Sequence, residues 1–144
     1  MKKQKSIAAL KNDAMRSLQR LVRAKAALNL RSELIPCCDC GRLGHWLYEM
    51  DGGHFYSRKD SVGLMEENVH PQLKGCNLRM GRGDQKVAEG YRRFLVDLYG
   101  EEWLVETEQL AWKPRKFTRG ELEDMRSEFE LRRKAIEKEL ENIL

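Results

Sequence analysis

Three short stretches carry the side chains whose types and spacing could do chemistry. The first is Cys37-Cys38-Asp39-Cys40-Gly41. Cys37 and Cys40 form C-x-x-C followed by glycine, a knuckle in which two thiolates can meet one zinc ion. Downstream only Cys76 returns, and the position three before it is Leu73. Tetrahedral zinc takes four ligands. The fourth place is therefore open to Cys38, His45 or His70, unless the cysteines are packed free thiols and no ion is held. The second stretch is Asp51-Gly52-Gly53-His54, which sets an acid–base side chain on bare backbone. The third runs from Asn68 to Asn77, with His70 inside it and Cys76 directly before Asn77.

The layout His54, Asn68, Asn77, with a cysteine beside the last, resembles the HNH or ββα-metal nuclease motif. There a short hairpin supplies the histidine and the following helix supplies the last ligand. The flanks narrow the likeness. "CCDCG", "DGGHFYSR", "ENVHPQLKGCN" and "FTRGELEDM" together resemble the NinG (Rap) recombination endonucleases of lambda-type phages, over roughly Asp13 to Glu141. Leu73 departs from the second full C-x-x-C usual in that family. The resemblance implies a metal-dependent, structure-selective DNA endonuclease that hydrolyses phosphodiesters in branched recombination intermediates such as Holliday junctions, D-loops or forks. It also implies that Asn68 holds the His54 loop by hydrogen bonding rather than touching metal.

Cleaving a phosphodiester needs an activated water and a cation on the phosphate and the leaving oxygen. Histidine titrates near neutrality, so a neutral His54 can take a proton from water. Asp51 and Asn77 offer hard oxygens for Mg²⁺ or Mn²⁺, which keep positions open for phosphate and water. Gly52 and Gly53 are expected to let the strand bend and bring His54 and the metal to a phosphate. His70 reads equally as zinc ligand, neighbour of the catalytic metal or turn residue. Arg58, Lys59, Arg79 and Arg82, with Arg16, Arg20 and Arg23 on the first helix, could contact phosphates with little sequence preference.

These residues need elements to hold them. Residues 4–30 read as a long amphipathic helix, with Ile7, Leu10, Ala14, Leu18, Leu21 and Leu28 at three- and four-residue steps. Pro36 is expected to close the linker after it. Residues 36–84 lose that period and hold all four cysteines and all three histidines. They have too few apolar residues for a core of their own and need a metal or the flanking helices. From Asp84 a helical face returns through Val87, Tyr91, Phe94, Leu95 and Leu98, ending at Gly100. A short amphipathic segment surrounds Trp103 and Leu104, and Pro114 breaks the pattern. Thr118 then starts a last helix as N-cap, with Glu121 three residues on and Phe117 and Leu122 as the staple. Its stripe of Leu122, Met125, Phe129, Ile136, Leu140 and Ile143 reads as a packing face, within the chain or across a dimer.

The expected fold is α+β and mostly helical, one domain overall. Residues 1–35 form a basic amphipathic helix, 36–84 a ββα-metal core with a zinc-knuckle-like loop, and 85–144 a helical region. Net charge is +7 over residues 1–36, zero over 37–100 and −3 over 101–144, which suggests a polyanion met at the basic end. No apolar run could span a membrane and no signal-peptide pattern opens the chain, so a cytoplasmic protein is expected, in the bacterial host by the phage resemblance. DNA is the expected partner, and a two-fold branched substrate would suit a homodimer. The competing readings are a non-catalytic DNA-binding recombination accessory module and a small zinc-ribbon adaptor. An adaptor needs neither His54 nor Asn77.

Overall fold

In the computed structural model, which describes residues 3–57 and 60–144, the chain opens with α1 (Ile7–Leu30). Ser6 caps it, its hydroxyl accepting from the Ala9 N–H at 3.1 Å, so the helix begins three residues later than the periodicity predicts. Next come β1 (Leu34–Pro36) and β2 (Leu43–His45), an antiparallel hairpin whose loop is the cysteine knuckle. Pro36 does not close a linker. It is the last residue of β1, opposite Leu43.

A second antiparallel pair follows, β3 (Met50–His54) with β4 (Val69–Leu73), and α2 (Lys74–Gly81) leaves β4 directly. A 3-10 turn at Glu66–Asn68 leads into β4. The register sets Asp51 opposite Gln72, Gly53 opposite His70 and His54 opposite Val69. Helices α3 (Gln85–Tyr99), α4 (Glu101–Ala111) and α5 (Arg119–Ile143) complete an α+β chain that is mostly helical. The start of α5 matches its sequence signal: Thr118 Oγ1 accepts from the Glu121 N–H at 3.2 Å, and Phe117 packs into the cluster that buries Leu122.

The core is strung between the first and last helices. Leu10 and Ala14 meet Leu122, Leu18 and Leu21 meet Phe129, and Ala24 and Ala27 meet Leu140. The contacts advance together along both chains, so α1 and α5 lie side by side and parallel. Burying leucines such as Leu18 and Leu21 stabilises by about 2 kcal/mol each. From Leu122 to Leu140 the α5 stripe is thus an internal packing face, while Ile143 is exposed.

This pairing also answers the charge pattern. Arg20 of the basic arm bonds Glu137 of the acidic tail, Ser17 donates to Glu130, and Arg133 is paired with both glutamates. Of the opposed charge that suggested an external polyanion, the Arg20–Glu137 pair is met between the two helices, while Arg133 pairs with glutamates of its own helix. The β strands close against α1: Val69 joins the Leu18–Phe129 layer, and Ile35, Trp46 and Met50 join the layer of Ala24 and Leu140.

Candidate metal centre and histidine pocket

One donor atom from each of Cys37, Asp39, Cys40 and Cys76 lies within 4.8 Å of all the others. Cys40 Sγ and Cys76 Sγ are 3.8 Å apart, the edge length of about 3.8 Å expected for two thiolates on one tetrahedral zinc. The four residues could hold a metal ion such as zinc. The hairpin makes this local: the Cys37 N–H donates to the Arg42 carbonyl, the Gly41 N–H donates back to Cys37, and Gly41 takes φ +75°. Helix α2 brings Cys76 in from the other side.

The fourth donor atom gathered with the three thiols belongs to Asp39, not to Cys38, His45 or His70. Cys38 turns away into the cluster of Tyr91, Leu95 and Leu104. His45 Nδ1 accepts the N–H groups of Leu47 and Tyr48. His70 lies among the rings of Tyr91, Phe94 and Tyr99, its Nε2 at 2.9 Å from the Glu67 carbonyl, and burial drives its pKa down to about 4. Leu73 serves the cluster through its backbone, whose N–H donates to Cys37 Sγ at 3.3 Å, while its side chain packs on the core.

The electrostatics of the cluster are compatible with a cation among its donors. Burial pushes Cys76 up to about 12, aided by the neighbouring Asp39 carboxyl, and burial raises Asp39 too. Hydrogen bonding from Cys38 and from backbone N–H groups draws Cys37 down to about 4. Four such groups cannot all be anionic at this spacing without a positive centre among them. From outside, Arg79 Nη2 donates to Cys76 Sγ at 3.3 Å, and the thiols of Cys40 and Cys76 hold the pKa of Arg42 up.

Gln72, fully buried on β4, ties this cluster to the second site. Its Nε2 donates to Asp39 Oδ2 at 2.8 Å, while its Oε1 lies against Gly53 and has no hydrogen-bond partner among the described residues. A Cβ at Gly53 would overlap that oxygen, and a Cβ at Gly52 would come 2.7 Å from the Gln19 Cα of α1. Neither glycine has positive φ. Both are explained by the neighbours that lean on them, a correction to the bend expected of them. Tyr91 fixes the same stretch, its hydroxyl donating to the Gly53 carbonyl at 2.7 Å.

Beyond those glycines, His54, Asn77, Gly52 and Phe55 line a pocket of about 310 Å³. His54 Nε2 lies 2.8 Å from the Gly63 carbonyl. Asn68 is fully buried. Its Oδ1 accepts from the Tyr56 N–H at 2.9 Å, and its Nδ2 donates to the carbonyls of Tyr56 and Val62. Asn77 Nδ2 donates to Asp51 Oδ2 at 3.0 Å, and Lys74 Nζ bonds Asp51 Oδ1 at 2.8 Å. Burial opposes charge on Asp51, yet Lys74, Asn77 and Arg23 together hold its carboxyl below the usual range.

The candidate phosphate contacts separate. Arg16 stands out from α1, bonded to Asp13. Arg20 is engaged with Glu137, and Arg23 turns inward, donating to the carbonyls of Gln19, Leu47 and Met50. Arg23 is thus an internal strut rather than a phosphate contact. Arg79 spends a donor on Cys76, and Arg82 is exposed at the end of α2. Arg58 and Lys59 lie outside the described residues. Sequence reasoning missed Asp39, Gln72 and Lys74. Asp39 had a signal, since the gap left by Leu73 asks for a donor and an acid stands inside the knuckle.

No helix among the described residues is long and apolar enough to cross a membrane. No match was found among curated proteins or solved structures. A family model described as Bacteriophage Lambda NinG protein matches residues 1–139. With nearly the whole length matched, the chain belongs to the bacteriophage lambda NinG family, a recombination-related phage family.

Proposed function

We propose that this chain is a metal-dependent endonuclease of the HNH (ββα-metal) type that cleaves branched DNA in recombination, working in the cytoplasm of the phage's host. The observation that carries the reading is a juxtaposition: β3 ends in His54, α2 follows β4 directly, and His54 and Asn77 line one pocket with Asp51 bonded to Asn77. An adaptor or a passive DNA-binding module has no use for a base and hard-oxygen donors so arranged.

Asp51 and Asn77 are the residues that would hold Mg²⁺ or Mn²⁺, and their donor set fits. A carboxylate and an amide oxygen are hard ligands, and Asp51 already draws the Lys74 ammonium. When bound, the ion would supply charge neutralisation on the phosphate and on the leaving oxygen. The chain's own residues do the rest. His54, whose Nε2 lies 2.8 Å from the Gly63 carbonyl, is in this reading the base that takes the proton of an attacking water. Asn68 holds the backbone of Tyr56 and Val62, and so the loop that carries Gly63 stays over His54. The knuckle metal would have a separate, structural task, since Cys76 and Asn77 are consecutive on α2.

The test is a cleavage assay with Mg²⁺ or Mn²⁺ on four-way, three-way, flap and linear DNA, with His54→Ala beside the wild type. Cleavage of branched DNA that the variant loses supports the reading. No cleavage of any DNA by the wild type across these metals transfers the weight to the accessory-module reading, in which the chain binds recombination intermediates without cutting them. A homodimer that sets two pockets on a two-fold junction belongs to the same proposal, and sedimentation of the protein with and without a four-way junction tests it.

A further inference from the structure

Helices α1 and α5 bury their apolar stripes against one another, and a polar stripe runs beside each. On α1 it holds Asp13, Arg16 and Arg20, and on α5 Arg126, Glu130, Arg133 and Glu137, at steps of three and four residues. Between the two stripes lies a groove of about 240 Å³ that neither the histidine pocket nor the metal cluster uses. Five cations line it, Lys5, Arg16, Arg20, Arg126 and Arg133, against two acids, Asp13 and Glu130.

The acids already have more donors than they need. Asp13 accepts from Lys5 at 2.7 Å and from Arg16 at 2.6 Å, and Glu130 is bonded by Ser17 and Arg133. Glu137 answers Arg20 and Arg133 from outside the lining. Counting it, five positive charges face three negative ones, and two are left over. That surplus has donors to spend. The Arg16 side chain is 73 % exposed and engages Asp13 through Nη2 alone. Arg126, also exposed, is felt by the Glu130 carboxylate but is bonded to no described side chain.

We propose that this groove grips the phosphate backbone of DNA. A guanidinium fork matches the paired oxygens of a phosphate, and a groove with more forks than carboxylates prefers an anion to a cation. The cations are too spread for one small ion. Arg126 and Arg133 stand seven residues apart on α5, or about 10 Å, the axial length of roughly three successive phosphates of one strand. The line also continues toward the histidine pocket. Arg23, which donates to the Met50 carbonyl at the start of β3, lies three residues along α1 from Arg20, and Arg16 lies four beyond that. The inference rests on the endonuclease reading for this direction: a strand cut beside Asp51 and His54 runs out along α1 into the groove. Such a grip acts on the backbone and takes any sequence.

The test is anisotropy titration of the full chain with a labelled blunt DNA duplex at several chloride concentrations, without added Mg²⁺ or Mn²⁺. Arg16→Gln combined with Arg126→Gln removes two contacts from exposed side chains. The double variant is expected to lower the slope of log affinity against log salt by about two, and affinity at about 50 mM salt roughly ten- to a hundred-fold. Its circular dichroism spectrum should be unchanged. Arg126→Lys, which keeps the charge, should keep the slope. Lys138→Gln, exposed on α5 and outside the groove, should leave affinity and slope at their wild-type values. No duplex binding by the wild type, wild-type binding by the double variant, or an equal loss in Lys138→Gln would each overturn the grip. A thermal midpoint raised by inorganic phosphate through these arginines, with DNA binding intact in the double variant, would replace it with a free-ion site. The two readings fail separately. If the wild type cuts nothing yet the double variant loses slope, the grip stands without the nuclease. If His54→Ala abolishes cleavage while the double variant binds normally, the nuclease stands without the grip.

Discussion

The metal cluster and the histidine pocket sit on two sides of one eight-residue helix, and they are built by opposite means. The cluster is dense: three of its four donors come from a single hairpin loop, buried or hydrogen-bonded, and a cation could sit among them. The pocket is sparse. Its members come from β3, the loop after it and α2, and each is held by a partner in another element. Cys76 looks to the first site and Asn77 to the second. Consecutive helix residues point about 100° apart, so fixing one sets the direction of the other. Under the proposed function the difference is a division of labour, in which a stiff centre would orient a helix and the other side of that helix would be left for chemistry.

The largest effect expected is confined to the pocket. His54→Ala should lower cleavage by roughly two to four orders of magnitude, the usual worth of a positioned base, with metal content and thermal midpoint unchanged. If metal content falls too, the two sites are not separable. Asp39→Ala should act from the other side and lower metal retention by at least a hundred-fold, beyond what loss of an outer hydrogen-bond partner costs. Metal analysis of protein purified without chelator should find about one zinc per chain in the wild type. Leu73→Cys is expected to give no gain in zinc retention, because Asp39 already fills the place. A gain would return the fourth position to residue 73.

His70 offers a contrast in pH. Its folded pKa is about 4 against an ordinary 6.5. The unfolded chain therefore takes up a proton near pH 6.5 that the folded ring refuses until about pH 4. The contribution is fully present above 6.5 and is lost as pH falls through that window. It amounts to about 2 kcal/mol at pH 4, less than the full shift implies because the ring keeps some solvent contact. His70→Gln should flatten this part of the wild-type curve in denaturant titrations. An unaltered slope would assign the acid sensitivity to the carboxylates instead.

The smallest change probes the bridge between the sites. Gly53→Ala sets a methyl against Gln72, which also holds Asp39, and should cost about 1–3 kcal/mol of stability with a parallel loss of zinc affinity. Loss of stability alone would show that the two sites are independent.

Local rules were the legible ones. The capping box at Thr118 and the knuckle at Cys37–Cys40 need only a few neighbouring residues, and both stand where the sequence puts them. The helical face from Val87 to Leu95 was as plain. What escaped depends on meetings across the fold. Gly52 and Gly53 look like a hinge until α1 and Gln72 are seen against them. Arg23 looks like a phosphate contact until the carbonyls of Leu47 and Met50 come under it. Asp39 could be read as a bystander because its fitness as a donor depends on Gln72, thirty-three residues away.

The pairing of α1 with α5 has a consequence in time. Their contacts join residues 113 and 117 positions apart, so α1 waits for its partner until nearly all the matched length has left the ribosome. At common synthesis rates that interval is roughly ten seconds, long beside the microseconds a helix needs to form. Through it, the apolar face of α1 has only the short strands to cover it. The hairpin cysteines, by contrast, can gather as soon as their own loop is complete. Assembly of this chain is therefore expected to begin at the knuckle and to finish with the last helix settling onto the first.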